Sequence, residues 1–324
     1  MATRDPANGA ATRDLRLGLL GAGIGHSRSP HLHRAALQTL GRKGTYELLE
    51  AESEAQAQAV VERLRAGELD GLNVTTPWKP WAAAQCAFGL DAVGRVLPGP
   101  PDRPVNTLAM RDGQLCGGST DGPGLLDALA AADVDLRGAR VLLLGAGGAG
   151  TAVAPELLAA GAAGLWVANR AQERAQALVV HLSRFGQSVE VQALPWGHRA
   201  PDLTIDWVIH ATRWGHGEGQ PYDRADVVAW DWLPWPAWRD RGTVVADLVY
   251  GASPTRFEAL ALAHGIPACR QLLDDEAQVA PRGVLLGSGE AMLAAQAARV
   301  WRLWTGDHVD WRELKTALRT RDGR

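Results

Sequence analysis

The chain has 324 residues, of which 46% are hydrophobic and 21% are charged, and its formal net charge is −3. This length is enough for two domains of ordinary size, and the composition is typical of a soluble globular protein. The charge gives no global basic field that would favour nucleic acid or an anionic membrane, and no apolar run is long enough to cross a bilayer. The polar stretch 1–14 lacks the apolar core of a signal peptide, so it predicts a disordered tail and a cytoplasmic protein.

The first part of the chain alternates strand and helix patterns. The apolar run Leu15–Leu20 predicts a strand, and Ser29-Pro30 predicts the start of a helix, with Ser29 as N-cap and Gly41 after its end. Similar patterns predict a strand, a helix, a strand and a helix at Tyr46–Leu49, Ser53–Ala66, Gly71–Val74 and Asp121–Ala132. This alternation implies parallel βα units, which end near a boundary at Asp135–Gly138.

A second α/β block follows that boundary. Arg140–Leu144 is continuously apolar after its first residue, as expected of a strand buried on both faces, and a glycine-rich turn and a helix to Ala160 come next. The remaining predicted elements are a strand at Leu165–Ala168, a helix at Ala171–Phe185, strands at Trp207–His210 and Val244–Leu248, and a final helix at Glu290–Trp304. The fold class is therefore α/β with two domains.

One segment does not fit this alternation. Residues Arg213–Arg241 look like a long loop or insertion, with Trp230, Trp232, Trp235 and Trp238 among prolines. Such a segment is either a tryptophan-rich surface packed on itself or a functional lid or subunit contact, because long loops are often functional.

The glycine-rich turn predicts a dinucleotide site. Gly145-Ala146-Gly147-Gly148-Ala149-Gly150 fits the pattern G-x-G-x-x-G, follows a buried strand and opens a helix. Gly145 can make the tight turn, Gly147 leaves room for a pyrophosphate, and the helix N-terminus offers N–H groups to the phosphates. The alternative is a tight turn that binds nothing. The similar run Gly21–Gly25 lacks the third spaced glycine, and we interpret it as unrelated to nucleotide binding.

The end of the next strand distinguishes the two nicotinamide cofactors. An acidic residue there holds the ribose 2′-hydroxyl of NAD, whereas arginine accommodates the 2′-phosphate of NADP. This chain has Asn169 and Arg170 at that point, with Arg174 one helical turn later. Two guanidinium groups can hold a phosphate by charge-assisted hydrogen bonds, so the pattern favours NADP, although both could be solvated helix-start arginines.

Hydroxyl and amide side chains cluster around predicted turns, with one lysine and one carboxylate. They are Ser27, Ser29, Thr75, Lys79, Asn106, Thr120, Asp121 and Gln296. Lys79 is one of only three lysines among 33 basic residues, and lysine, unlike arginine, can give up its proton in a protein. The set suits a polyhydroxylated acid. Taken singly, Ser29 and Asp121 could be only helix caps, and Asn106 could be only a turn former.

Metal ligands are not predicted. The cysteines Cys86, Cys116 and Cys269 are scattered without C-x-x-C spacing, so we expect them in the core. His31 and His33 point to different faces of their helix at i, i+2 spacing.

The ordered motifs resemble the shikimate dehydrogenase family over nearly the whole chain, from Leu17 to about Trp304. The motifs, in chain order, are HSxSP at 26–30, NVTxPxK at 73–79, VNT at 105–107, TDG at 120–122, GAGGA at 145–149, NR at 169–170 and MLxxQ at 292–296. Their joint occurrence in this order is far more specific than any one motif.

The resemblance implies a fold, an activity and residue roles. The fold would be an N-terminal α/β substrate domain, residues 15–120 completed by 288–324, and a Rossmann-type NADP domain, residues 121–287. Ser27, Ser29 and Tyr250 would bind the carboxylate of shikimate, and Thr75, Asn106, Thr120 and Gln296 would contact the rest of the substrate. NADP would be held by Gly145, Ala146, Gly147, Gly148, Ala149, Asn169, Arg170 and Arg174. Lys79 and Asp121 would be the catalytic pair. Independently of the resemblance, we expect the protein to be a monomer or a homodimer.

The chemistry agrees with that pair. Hydride arriving at a ketone generates an alkoxide, which must be protonated. A positioned lysine ammonium can stabilise and protonate it, and Asp121, opposite in charge, would orient Lys79.

The chain departs from the family pattern at several positions. Ser119, Ala171 and Ala291 replace a usual Asn, Thr and Gly, and the usual N-A-T-S reads His210-Ala211-Thr212-Arg213. These changes concern cofactor preference and nicotinamide fit more than the reaction. The alternatives are a quinate/shikimate or aminoshikimate dehydrogenase and a non-catalytic shikimate-binding regulatory relative. Ser29 and the Asn169-Arg170 pair favour shikimate and NADP, and the presence of both Lys79 and Asp121 weighs against the non-catalytic relative.

Overall fold

A computed structural model describes residues 13–185, 189–197, 204–212, 214, 230–251, 254–271 and 282–319. Residues 1–12 of the predicted disordered tail lie outside the described residues. Two sheets, the first mixed and the second parallel, follow one another along the chain, each flanked by helices.

The first sheet contains the strands of the first α/β block. In chain order these are β1 Leu15–Gly21, β2 Gly44–Glu50, β3 Gly71–Val74, β4 Phe88–Leu90, β5 Val96–Leu97, β6 Thr107–Arg111 and β7 Gln114–Gly118. Their order in the sheet is β2-β1-β3-β6-β7-β4-β5. The predicted strands β1 to β3 are parallel, as expected, but β6 runs antiparallel to both β3 and β7. The predicted parallel βα units are therefore confirmed for β1 to β3, whereas strands β4 to β7 were not predicted.

Four helices accompany the first sheet. They are α1 Ser29–Thr39, α2 Glu54–Arg65, α3 Lys79–Gln85 and α4 Asp121–Ala130. Helix α2 begins with a capping box in which Ser53 and Gln56 satisfy each other's backbone N–H groups. The prediction that Ser29 is the N-cap of α1 is wrong: Arg28 holds that position, and Ser29 is the first helical residue. The Ser29 hydroxyl instead lies 3.2 Å from that of Ser27.

The second sheet is parallel throughout. Its strands are β8 Arg140–Leu144, β9 Gly164–Asn169, β10 Glu190–Pro195, β11 Trp207–His210, β12 Val244–Asp247, β13 Ala268–Gln271 and β14 Val284–Leu286. The order of the strands is β10-β9-β8-β11-β12-β14-β13. From β8 the chain first adds strands on one side of the sheet and then, from β11, on the other, and Rossmann-type sheets bind dinucleotides at this switch point. The accompanying helices are α5 Gly148–Ala159, α6 Gln172–Leu182 with a 3-10 turn Ser183–Phe185, α7 Trp235–Arg241 and α8 Arg256–Ala263.

The chain then returns to the first sheet through α9 Ser288–Thr305 and α10 Trp311–Arg319. Trp304 lies against β3, and its Nε1 donates to the Leu108 carbonyl at 3.1 Å. Arg299 of α9 pairs with Asp127 of α4 through two hydrogen bonds of 2.6 and 2.7 Å. Ser288, the first residue of α9, is hydrogen-bonded to the backbone of Asp247 at the end of β12, so α9 contacts both sheets. Among the described residues, no helix has both the length and the apolar character of a membrane span.

The described part of the tryptophan-rich segment belongs to the core around the second sheet. Trp230, Trp235 and Trp238 are at most 2% exposed, and the last two lie on α7, so the prediction of a loop is wrong for residues 235–241. Trp230 also contacts Phe257 at 5.0 Å between ring centroids. The aromatic rings thus pack on themselves, one of the two interpretations, although in the core and not at the surface. Residues 213 and 215–229 of the predicted loop lie outside the described residues.

Candidate active site

Three chain segments meet at one edge of the first sheet. Asn73, next to the end of β3, pairs with Thr107 at the start of β6, and Thr107 pairs with Gly118 at the end of β7. The turns after β3 and β7 and the residue before β6 must therefore lie side by side. This geometry brings Thr75, Asn106 and the Thr120-Asp121 pair together, although they are up to 46 positions apart in the sequence.

Lys79 and Asp121 form an ion pair at this edge. Lys79 Nζ lies 2.6 Å from Asp121 Oδ2, and their side chains are 13% and 9% exposed. Each is the first residue of a helix, Lys79 of α3 and Asp121 of α4. No side chain caps α4, so the alternative role of Asp121 as a helix cap does not describe what its carboxylate does. The pair is accessible enough to meet a substrate, but it is shielded from bulk water.

A buried amide network fixes the Asp121 carboxylate. Asn106 Nδ2 donates to Asp121 Oδ1 at 2.7 Å and to Thr120 Oγ1 at 2.9 Å, and Asn106 Oδ1 accepts from the Thr120 backbone N–H at 2.9 Å. Gln296, from α9, lies 3.2 Å from both Asn106 Nδ2 and Thr120 Oγ1. One carboxylate oxygen is thus held by Asn106 and the other by Lys79, which sets the direction of the lysine side chain. The Thr75 hydroxyl forms no hydrogen bond with any residue the structure describes.

The two serines and the tyrosine predicted to bind a carboxylate also meet. Ser27 and Ser29 are 7% and 8% exposed, with their hydroxyls 3.2 Å apart. Tyr250, which follows β12 of the second sheet, shares a hydrogen bond with Ser27. Burial raises the pKa of the Tyr250 phenol, and the nearby Arg28 charge and the bond with Ser27 pull it the opposite way. These hydroxyls therefore come from segments that follow strands of both sheets.

Two buried residues that support the predicted site, Tyr46 and Asn73, were not predicted as site residues from the sequence. Tyr46, on β2, is 4% exposed, shares a hydrogen bond with Ser29, and donates from its hydroxyl to Asn73 Oδ1 at 2.9 Å. Burial raises the pKa of Tyr46 well above its ordinary value. Asn73 in turn donates to the Asn106 carbonyl at 3.1 Å. The one available signal was the polar Asn73 within a strand that is buried along its whole length.

Two departures from the family pattern lie within this region. The Ser119 hydroxyl, at the position of the usual Asn, is buried and has no hydrogen-bond partner among the described residues. Ala291, at the position of the usual Gly, is fully buried on α9. Neither change touches the contact between Lys79 and Asp121.

The glycines of the second unit fit a bound dinucleotide. Gly145 has φ +117°, and a Cβ on it would lie 2.8 Å from backbone atoms of Ala211, so no other residue suits that turn. A Cβ on Gly150 would lie 2.0 Å from the Gly145 carbonyl oxygen, which shows how closely α5 approaches the turn. A Cβ on Gly147 would meet nothing within 4 Å, and no side chain caps α5. The helix N-terminus thus offers uncapped N–H groups beside open space, as a pyrophosphate requires.

The predicted 2′-phosphate residues have two different structural settings. Asn169 ties the turn together, since its Oδ1 accepts from the Ala146 N–H at 3.1 Å and its Nδ2 donates to the Ala171 carbonyl at 2.9 Å. Arg170 and Arg174 are exposed at the end of β9 and the start of α6, and neither forms an ion pair within the described part of the chain. The two guanidinium groups are therefore available to an anion.

The two halves of the site face each other. A Cβ placed on Gly148, the first residue of α5, would lie 3.4 Å from Lys79 Cδ. The pair of Lys79 and Asp121 therefore lies beside the turn that would hold a dinucleotide. A turn of the dinucleotide-binding type beside a buried lysine–aspartate pair is the arrangement expected of a two-domain, dinucleotide-dependent dehydrogenase.

Family models identify which dehydrogenase family this is. Residues 19–91 match the shikimate dehydrogenase substrate binding domain, and residues 128–212 match the shikimate / quinate 5-dehydrogenase model. The chain belongs to the shikimate dehydrogenase family, so the predicted family and the predicted two-domain α/β fold class are confirmed.

Individual relatives are similar along almost their whole length. The shikimate dehydrogenase (NADP(+)) of Laribacter hongkongensis is 35% identical over 305 residues, covering 94% of this chain and 97% of that protein. The shikimate 5-dehydrogenase of Thermus thermophilus, solved with NADP(H) and shikimate, is 32% identical with a TM-score of 0.70, covering 94% of this chain and 99% of that one. The quinate dehydrogenase of Corynebacterium glutamicum, solved with NAD, is 25% identical with a TM-score of 0.72, covering 95% and 99%.

Proposed function

We propose that this protein catalyses the reversible, NADP-dependent reduction of 3-dehydroshikimate to shikimate. The observation that carries the proposal is the 2.6 Å contact between Lys79 Nζ and Asp121 Oδ2 beside the dinucleotide-type turn. Family membership, and relatives whose names give shikimate and NADP(+), support this substrate and cofactor.

The substrate would be held by groups on both sides of the cleft. Ser27, Ser29 and Tyr250 present hydroxyls to the carboxylate, and Ser29 lies at the N-terminus of α1, where anions are favoured. Asn106, Thr120 and Gln296 form the amide and hydroxyl wall next to Asp121. Thr75, just after the end of β3, would contact the substrate from the same edge of the sheet. A ring that carries several hydroxyls and one carboxylate matches this arrangement.

Lys79 handles the proton of the reaction. The bound cofactor supplies the hydride in one direction and accepts it in the other. As negative charge develops on the substrate oxygen, the Lys79 ammonium donates a hydrogen bond to it and then a proton. Asp121, itself fixed by Asn106, keeps Nζ pointing at that oxygen. In the oxidation direction Lys79 takes the proton from the hydroxyl.

Initial rates with shikimate and quinate, each with NADP and NAD, test this proposal. We expect shikimate with NADP to give the highest kcat/KM of the four combinations. Faster turnover of quinate would favour the quinate/shikimate alternative. Failure of the purified protein to reduce either cofactor with either acid would favour the non-catalytic relative and contradict the proposal.

Removing both exposed guanidinium groups should separate the two cofactors. We expect the double variant Arg170→Ser, Arg174→Ser to raise KM for NADP about 10- to 100-fold, because charge-assisted bonds at an exposed site are lost. KM for NAD, which has no 2′-phosphate, should stay within about threefold. Arg184→Ser, an exposed arginine in the 3-10 turn after α6, is the matched control and should change neither value. Equal changes in KM for NADP and NAD would show that Arg170 and Arg174 do not bind the 2′-phosphate.

A further inference from the structure

Arg28 separates the two serines of the carboxylate subsite, and its side chain is largely buried. The side chain is 15% exposed, and one guanidinium nitrogen donates to the Glu290 carboxylate. The other nitrogen donates to the Leu318 carbonyl, near the end of α10, at 2.6 Å. A positive charge is thus fixed directly beside Ser27 and Ser29.

Glu290 brings the opposite charge to the same place. It lies in the first turn of α9, its side chain is 8% exposed, and it is 262 positions from Arg28 in the sequence. Ser288, two residues earlier, is tied to the backbone of Asp247 by hydrogen bonds of 2.8 and 2.9 Å. The ion pair therefore joins the turn after β1 to the segment that leads into Tyr250.

The Arg28 charge reaches the subsite. It is among the charges that act on the Tyr250 phenol, and that phenol shares a hydrogen bond with Ser27. The interaction between two charges is stronger where they are buried, because water screens them less. The side chains of Arg28 and Glu290 are both shielded from water. A substrate carboxylate bound to these hydroxyls would therefore interact with the Arg28 charge, which Glu290 partly neutralises through the ion pair.

We propose that Arg28 and Glu290 are a specificity-determining pair that sets the affinity of the subsite for the substrate carboxylate. Arg28 attracts the carboxylate, and Glu290 limits that attraction while holding Arg28 in place. The inference rests on the proposed function, since it assumes that an acid binds here. It predicts that the two residues have opposite effects on acid binding, whereas a purely structural pair would change binding in the same direction whichever partner was lost.

Shikimate binding to the complete protein, measured by titration calorimetry, tests this pair. We expect Arg28→Met to raise the Kd about fivefold or more, because Glu290 is then left to repel the acid. Glu290→Gln, close in shape to the native residue, should lower the Kd by about a factor of three or more, because the Arg28 charge loses its carboxylate partner. Arg28→Lys keeps the charge but cannot make both hydrogen bonds of the guanidinium group, so its Kd should lie between those of wild type and Arg28→Met. The Kd for NADP should not change in any of them.

Each result decides the proposal. Opposite shifts in Arg28→Met and Glu290→Gln support it, and shifts in the same direction, or none, overturn it. Thermal unfolding of each variant establishes that it is folded, and Glu290→Gln alone still gives a decisive sign if Arg28→Met does not fold. Binding with opposite shifts in a protein that does not turn over would refute the proposed function but leave this inference standing. Absence of shikimate binding to the wild type would overturn both.

Discussion

Replacing Lys79 with alanine should lower kcat by about 10²- to 10⁴-fold while leaving the Kd for shikimate within about an order of magnitude of wild type. The reason is that Lys79 would act on the oxygen whose charge changes during the reaction, whereas the hydroxyl and amide groups supply most of the binding. Its Nζ is already directed by Asp121 at 2.6 Å, so no rearrangement of the free protein is needed. Steady-state rates and titration calorimetry measure the two quantities separately.

Two further variants make this prediction specific. Lys79→Arg keeps a positive charge but cannot give up its proton, so we expect a loss of kcat close to that of the alanine variant. Lys43→Ala removes an exposed lysine between α1 and β2 and should leave kcat unchanged. A turnover number unaltered in Lys79→Ala would refute the assignment of Lys79 as the proton donor.

Acid should destabilise the protein through His33. This residue is fully buried on α1, its ring nitrogens have no hydrogen-bond partner among the described residues, and its ring stacks on Tyr46 at 4.2 Å. Burial lowers the pKa of His33 from 6.5 to about 3. Because the folded-state pKa lies below the unfolded one, the unfolded chain takes up the proton first as the pH falls below 6.5. Stability is therefore lost between pH 6.5 and 3, by about 1.4 kcal/mol at pH 5.5 and about 3 kcal/mol at pH 4.

Urea unfolding of wild type and His33→Phe across this pH range measures the effect. Phenylalanine can keep the stacking on Tyr46 but does not titrate. Between pH 7.5 and 5.5, the free energy of unfolding of His33→Phe should therefore fall by about 1.4 kcal/mol less than that of wild type. His26→Gln removes an exposed histidine and should keep the wild-type slope. An identical pH dependence in wild type and His33→Phe would show that His33 does not carry the acid sensitivity.

The parallel parts of the fold could be predicted from local sequence. Gly71–Val74, Arg140–Leu144 and Trp207–His210 were predicted with the bounds that the structure gives, because each is a short apolar run between turn signals. Strands β4 to β7 were not predicted; β4 and β5 have only three and two residues, too few to give a recognisable pattern. The N-cap of α1 was misassigned because the Ser29 hydroxyl contacts Ser27 and Tyr46, which is a tertiary effect.

In the candidate site, the motif residues could be predicted from the sequence, whereas the residues that support them could not. Motif residues such as Lys79, Asp121 and Asn106 stand at turns and helix starts, and the sheet topology brings them together. The residues behind them carry no local signal. Tyr46 lies in a strand pattern like any other, and the ion pair of Arg28 and Glu290 spans 262 positions of sequence. Their contribution depends on which buried polar groups meet, and only the folded chain specifies that.

The central claim is that Lys79, directed by Asp121, exchanges a proton with the reacting oxygen of the substrate. A crystal structure of the unreactive complex with shikimate and NADPH tests it most directly. We predict Lys79 Nζ within about 2.6–3.2 Å of the hydroxyl oxygen on the carbon that faces the nicotinamide. A complex in which that hydroxyl points away from Lys79, with another side chain in contact with it, would contradict the account.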